Sequence, residues 1–351
     1  MGSRLWVMVL AGGKGERFWP LSTARRPKPF LDLGMGRSLL QETLKRAGTV
    51  APGSRTRVVA GRTLAGSIRR QIRHYPGVGI LREPAALNTG PAALLATRWV
   101  WEQDSGATVL ILPSDHCVRG LPLFRRAVKE ATQIAEQGFL VTFGVRPTGP
   151  STDYGYVLRG SRLKPTGHQV SRFLEKPPQA TARALIRRRA LWNSGMFVWK
   201  AASFLEEAAR CEPAYSGWLE LASRSGGGSS RARRAFASLP SLPVDRAVLE
   251  RSGRVAVVEA RFEWSDVGSW SALYDLSRKD ARGNVGIGKC LVQNSAKNLV
   301  YSEAGLCVLH GVEGLLVVRS GEAVLVCPRR KTSEMKQLVE ALRKRGLGGY
   351  L

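Results

Sequence analysis

No stretch of this chain is apolar for long enough to span a membrane. The short run Leu5–Leu10 behind Arg4 leads into glycines and charge without an Ala-x-Ala site, so it reads as a strand rather than a cleaved leader. Cysteine is also sparse. Cys117, Cys211, Cys290, Cys307 and Cys327 are odd in number and scattered, with no Cys-x-x-Cys pair, which excludes a thiolate zinc site and suits reduced thiols in a cytoplasm. Of 4 histidines, His116 has no second histidine at ligand spacing and reads as structural. Acidic residues are the scarcest relative to expectation, 27 against 54 basic ones, for a net charge of +27. That surplus raises nucleic-acid binding as a rival function. The charge is nevertheless dispersed, with short clusters only at Arg69-Arg70, Arg187–Arg189 and Arg231–Arg234, and no DNA- or RNA-binding motif accompanies them. Biased arginine usage and small anionic substrates account for it better, with neither nucleic acid nor membrane as a partner.

What is present is a chain of 351 residues, enough to bury a large core and a second, smaller one. Apolar, β-rich runs near 5–10, 56–60, 78–82, 107–112 and 139–145 alternate with helical patterns. The alternation predicts an α/β domain with a mainly parallel sheet covered by helices on both faces. Ser38 and Gln41 form a capping box for a helix over 38–47, and Gly48 and Gly138 stand where left-handed C-terminal residues belong. Residues 223–236, rich in Ser, Gly and Arg, read as an exposed loop between helices. After 282 the texture changes to short alternating strands with many glycines. A closing helix near 333–345 carries Met335, Leu338, Val339 and Leu342 on one face. The expected division is therefore 1–282 and a small β-rich domain, 283–351.

The first strand runs into Leu10-Ala11-Gly12-Gly13-Lys14-Gly15-Glu16-Arg17, and a second basic stretch, Arg25-Arg26-Pro27-Lys28-Pro29-Phe30, follows. Glycines after a strand let bare backbone N–H groups approach a polyphosphate while Lys and Arg neutralise it. The turn lacks the Gly-Lys-Ser/Thr of a Walker loop and the third glycine of the dinucleotide fingerprint, which excludes both. In such sheets ligands bind at the carboxyl ends of strands. Glu83, Asn88, Thr89, Ser114 and Asp115 fall there with the glycine turn. Asp115, which follows the strand Val109–Leu112, is a hard-cation candidate beside a triphosphate.

Beyond residue 145 the candidates are Asp153–Tyr156, Phe173–Pro177, Trp192–Phe197 and Trp264–Trp270, each a polar group beside glycine or proline in apolar surroundings. Taken with Gly-Gly-x-Gly-x-Arg, Trp-Pro-Leu-Ser and Pro-Lys-Pro-Phe-Leu, their order resembles the sugar-nucleotide pyrophosphorylases, most closely the bacterial mannose-1-phosphate guanylyltransferases. The resemblance covers nearly the whole chain. It implies a Rossmann-like nucleotidyltransferase domain with a short C-terminal β-helix, and a Mg²⁺-dependent reaction of GTP with mannose 1-phosphate giving GDP-mannose and pyrophosphate. By motif match, Gly12, Gly13, Arg17 and Lys28 would hold GTP, with Leu10, Ala11, Lys14 and Gly15 in the same turn. Asp115 and Asp266 would hold the metal, and Gly155, Glu175, Lys176 and Asn193 the sugar phosphate.

The chain departs from the family at Pro29, at Gly90 (commonly Ala) and at Ser151-Thr152-Asp153, while keeping the charged residues the chemistry needs. Bifunctional relatives carry an isomerase domain with metal-binding histidines, so one activity is expected here, with a homodimer as the assembly to test. Alternatives are another hexose 1-phosphate or nucleotide, or a non-catalytic regulatory paralogue. Glu83 is the candidate reader of guanine, against the plainer reading of an ion pair with Arg82 or Arg98.

Overall fold

The computed structural model describes residues 4–12 and 15–351, so Gly13 and Lys14 of the glycine turn lie outside the described residues. By its contacts the chain divides into two compact units. The first runs to Gly12 and adds Thr43–Ser114 and Val118–Trp264; the second gathers the stretch ending at Glu42, Asp115–Cys117 and Ser265–Leu351.

The first unit is built on strands β1 (Leu5–Leu10), β2 (Thr56–Gly61), β3 (Gly79–Glu83) and β4 (Thr108–Pro113), followed by the short β5 (Cys117–Arg119). It continues through β6 (Leu140–Val145), β7 (Tyr156–Leu163), β8 (Gly167–Leu174), β9 (Leu191–Lys200) and β10 (Val255–Glu259). Nine of these form one sheet in the order β3-β2-β1-β4-β9-β6-β10-β8-β7. Pairing is parallel from β3 to β4 and between β6 and β10. Strand β9 is antiparallel to both β4 and β6, and β8 to both β10 and β7. All strands but β8 and β9 therefore point one way, as the alternating pattern requires. Strand β4 is apolar from Val109 to Leu112 because both faces are covered, and these four residues are all buried. Met8, Val109 and Ile111 share a core with the helices Thr89–Gln103, Ala201–Cys211 and Pro213–Ser225.

The second unit contains the end of the short β11 (Glu263–Ser265) and a four-stranded sheet, β12 (Val285–Gln293), β13 (Leu299–His310), β14 (Leu315–Ser320) and β15 (Ala323–Pro328). Strands β12, β13 and β14 pair in parallel at successive coils, and β15 closes the stack antiparallel. The basic signature segment belongs to this unit's core. Phe18, Trp19, Leu21, Leu31 and Leu33 pack with Val267, Trp270, Leu299, Tyr301, Leu316, Val318, Met335 and Val339. The Trp270 indole donates to the Trp19 carbonyl at 3.2 Å, and the Tyr301 hydroxyl to the Asp32 carbonyl at 2.8 Å.

Three local expectations are corrected. Gly48 is not left-handed; its N–H continues the helix by bonding the Leu44 carbonyl. Most of 223–236 is helical, with only a short turn before the helix Ser230–Ala237, which Ser229 caps through the Ala232 N–H. In the closing helix Met335–Lys344, Met335 and Val339 are buried but Leu338 is exposed, so the apolar stripe is narrower than the sequence pattern suggested.

Candidate active site

In the second unit, Lys28 opens a single helical turn, Lys28–Phe30, between two prolines, and its side chain is almost wholly buried. Its ammonium donates to Asp115 Oδ2 at 2.8 Å and to the Asp266 main-chain carbonyl at 2.6 Å. Burial pushes the Asp115 carboxyl up, but the Lys28 charge, aided by His116, outweighs it and holds the group below the usual carboxylate range. Gly15 makes this approach possible. It sits at φ +69°, and a Cβ there would lie 2.3 Å from Lys28 Cβ. Val267, buried between Asp266 and Gly268, is forced to φ +43°, a strained conformation for a β-branched residue. The Asp266 Oδ1 accepts from the Gly268 N–H at 3.1 Å, which fixes the carboxylate. Asp115 and Asp266 are thus gathered around one cation, here the ammonium, and Arg17 lies in the same unit.

In the first unit, the Leu10 carbonyl accepts from the Ser114 N–H and the Ala11 N–H donates to the Val59 carbonyl, so these backbone groups extend the sheet. Gly12 is exposed, with nothing among the described residues within 4 Å of where a Cβ would be, so packing against them does not require glycine there and close approach of a ligand would. Asn88 and Thr89 serve the fold. Asn88 Oδ1 caps the helix through the Thr89 N–H, and the Thr89 hydroxyl accepts from the Val244 N–H at 3.1 Å. Gly90 is tightly enclosed: a methyl would meet Tyr215 Oη at 2.3 Å and the Leu242 carbonyl at 2.6 Å, which explains why this chain lacks the usual alanine. Glu83 is 6% exposed, and desolvation pushes its carboxyl up to about 7. No Lys or Arg pairs with it among the described residues, and Arg98 pairs instead with Glu102, so the plain ion-pair reading fails.

Gly155, Glu175, Lys176 and Asn193 do converge. The absence of a side chain at Gly155 admits Glu175, whose Oε2 would lie 2.6 Å from a Cβ. Lys176, at φ +48°, is exposed and reaches Glu175 Oε1 at 3.3 Å. Burial, more than its neighbours' charges, raises the Glu175 carboxyl. Asn193 Nδ2 donates to Asp245 Oδ1 at 2.6 Å, and the Glu175 N–H to Glu250 Oε1 at 2.6 Å. Burial, then the Glu175 charge, pushes Asp245 up to about 7. Asp245 and Glu250 were missed from the sequence, where a lone Asp before an apolar run looks like a helix cap. Only the π-helical turn Asp245–Leu249 marks the place as unusual. Nearby, Tyr154 packs on Trp192 and Trp264 at 4.8 and 5.4 Å between ring centroids.

The family described as "Nucleotidyl transferase" matches residues 6–283, and "MannoseP isomerase/GMP-like beta-helix domain" matches 288–342. A mannose-1-phosphate guanylyltransferase of Klebsiella pneumoniae is 36% identical over 99% of this chain and 75% of its own length. Xanthan biosynthesis protein XanB of Xanthomonas campestris pv. campestris (strain B100) is 39% identical over 97% and 73%. A crystal structure described as mannose-1-phosphate geranyltransferase from Thermus thermophilus superposes with a TM-score of 0.89 at 36% identity, covering 97% of this chain and 99% of that one. Nucleotidyl transferases of this kind generally use a divalent metal. The chain belongs to the mannose-1-phosphate guanylyltransferase family of nucleotidyl transferases.

Proposed function

We propose that the chain transfers the GMP moiety of GTP to α-D-mannose 1-phosphate, releasing pyrophosphate and forming GDP-mannose. The observation that carries the reading is Lys28 held between the Asp115 carboxylate and the Asp266 main-chain carbonyl, a buried cation on two hard oxygens. A sugar-phosphate oxygen attacks the α-phosphorus of GTP, the new P–O bond forms as the bond to the β-phosphate oxygen breaks, and pyrophosphate leaves in line. The sugar phosphate is ionised near neutral pH, so no general base is required, and positioning with charge neutralisation supplies the catalysis.

Arg17 and Lys28 neutralise the triphosphate, and Gly12, Gly13, Lys14 and Gly15 form the phosphate turn. Glu83, which no Lys or Arg pairs among the described residues, accepts from the guanine N1–H and N2–H₂ in its ionised form. Lys176 takes the phosphate of the sugar, while Glu175 and Asn193 engage ring hydroxyls. Asp115 and Asp266 suit Mg²⁺, which commonly takes one or two carboxylates and completes its octahedron with water and phosphate oxygens. Among the described residues there is no cluster of three or more ligating side chains, which fits a metal held largely by substrate. When bound, Mg²⁺ screens the phosphate charges and polarises the α-phosphorus.

The proposed domain assignment gives the chemistry to 1–282 and a supporting role to the β-rich 283–351, with Lys28, Asp115 and Asp266 in the compact unit that also holds 283–351. A cytoplasmic setting fits the five free thiols. No helix among the described residues is long and apolar enough to cross a membrane. A homodimer remains the assembly to test, with no nucleic-acid partner. Assaying four nucleoside triphosphates against several hexose 1-phosphates tests the reading: GTP with mannose 1-phosphate should give the highest kcat/KM, and preference for another pair would replace it.

A further inference from the structure

The amide of Asn193 is held from three sides. Its Oδ1 accepts from the Thr142 hydroxyl at 2.6 Å and from the Gly195 N–H at 3.2 Å, which fills both lone pairs. Because the Gly195 N–H can only donate, the carbonyl oxygen must face it, and Nδ2 must then face Asp245, 2.6 Å away. One Nδ2 hydrogen is used there. No bond takes the second hydrogen among the described residues, so a single N–H donor is left on a buried amide whose oxygen is fully engaged.

We propose that Asp245 is a positioning residue for sugar specificity: by taking one Nδ2 hydrogen it locks Asn193 as a one-donor reader of a ring hydroxyl's oxygen, complementary to Glu175 as the acceptor of a hydroxyl. The inference rests on the proposed function and deepens it by naming what sets the sugar subsite. Asp245 reaches Asn193 from the π-helical turn, where its carbonyl accepts from the Glu250 N–H at 2.8 Å. The same stretch is tied to the start of the helix Thr89–Gln103 by the Val244–Thr89 bond. Asp245 therefore acts through Asn193. Epimeric hexoses such as mannose and glucose differ in the direction of one hydroxyl, so a fixed donor and a fixed acceptor discriminate where a rotating amide would not.

The charged groups around Asp245 are Glu175 and Lys176, and around Glu175 also Glu250 and Arg246. Burial, then the neighbouring Glu175 charge, favours a protonated Asp245 near neutral pH, and the two carboxyls titrate in a linked way. Losing that proton adds negative charge where a sugar phosphate must sit. The KM for the sugar phosphate should therefore rise as pH passes through the Asp245 value of about 7.

The experiment measures KM for GTP, mannose 1-phosphate and glucose 1-phosphate in the whole protein and in Asp245→Ala, Asp245→Asn and Thr142→Val, with thermal denaturation alongside. Expected for Asp245→Ala is a rise of about tenfold or more in KM for mannose 1-phosphate, the scale of one lost charge-assisted hydrogen bond, with GTP within about twofold. Mannose preference over glucose should shrink. Asp245→Asn keeps an acceptor oxygen and should recover most of the affinity while flattening the pH dependence; Thr142→Val, which frees the other side of the amide, should behave like Asp245→Ala. If Asp245→Ala does not fold, the other two variants decide. Unchanged sugar-phosphate KM and hexose preference in folded Asp245→Ala or Thr142→Val, with an active parent, overturns this inference alone. A parent inactive toward every hexose 1-phosphate overturns the proposed function and this inference with it.

Discussion

Lys28 and Asp115 are joined by an ion pair of 2.8 Å although 87 residues separate them, and the same ammonium holds the Asp266 carbonyl 151 residues further on. One buried cation thus organises both acidic residues assigned to the metal. Arrival of a triphosphate and its metal would let Lys28 exchange a carboxylate partner for phosphate.

Replacing Lys28 with Ala should lower kcat by roughly 10²–10³-fold, the scale of one preorganised charge donor. Pyrophosphate release measured beside circular dichroism checks it, because a folded variant turning over at the parent rate removes Lys28 from the chemistry.

Asp266→Asn separates two roles of one residue. The main-chain carbonyl that holds Lys28 is retained and only the carboxylate is lost, so the fold should persist while the Mg²⁺ concentration for half-maximal rate rises strongly. Excess EDTA should abolish activity reversibly; full turnover in EDTA would contradict a metal requirement.

Lys176→Ala should raise KM for mannose 1-phosphate far more than KM for GTP, because the exposed ammonium is assigned to the sugar phosphate. Steady-state titration of each substrate distinguishes this from the reverse pattern, which would move Lys176 to the nucleotide.

Glu83 gives a prediction with a sign. Its carboxyl is raised from 4.5 to about 7 on folding, so the native state keeps a proton that the unfolded chain has released. The stability it contributes is present below about pH 4.5 and lost as pH rises through about 7, a difference of about 3 kcal/mol. Glu83→Gln should accordingly be more stable than the parent at about pH 8 and similar to it at about pH 5, as judged by denaturant midpoints. The same variant should lose most of the GTP-over-ATP preference, on the order of 10²-fold. An unchanged preference would place guanine recognition elsewhere.

Much of the fold was legible because local chemistry declares it. The Ser38–Gln41 box forms both reciprocal bonds at 3.1 Å, and Gly138 takes φ +90° after its helix. The pairs that tertiary structure creates left no such trace. Asp245 lies 52 residues from Asn193 and far from Glu175 in the chain, so no spacing could reveal it. Gly15 resembles a phosphate-loop glycine, yet its described neighbour is Lys28. Gly90 reads as a departure from a motif until Tyr215 and Leu242 are seen to leave no space for a methyl. Gly90→Ala should cost about 1–3 kcal/mol in a thermal or denaturant melt, as overpacking does.

The most direct test of the reaction supplies GTP labelled at the α-phosphorus with mannose 1-phosphate and Mg²⁺, and follows the label and pyrophosphate together. The predicted result is one GDP-mannose carrying the label for each pyrophosphate released, with no product when mannose 1-phosphate is omitted. Label appearing only in GMP or GDP, or no sugar nucleotide formed from any hexose 1-phosphate, would contradict guanylyl transfer.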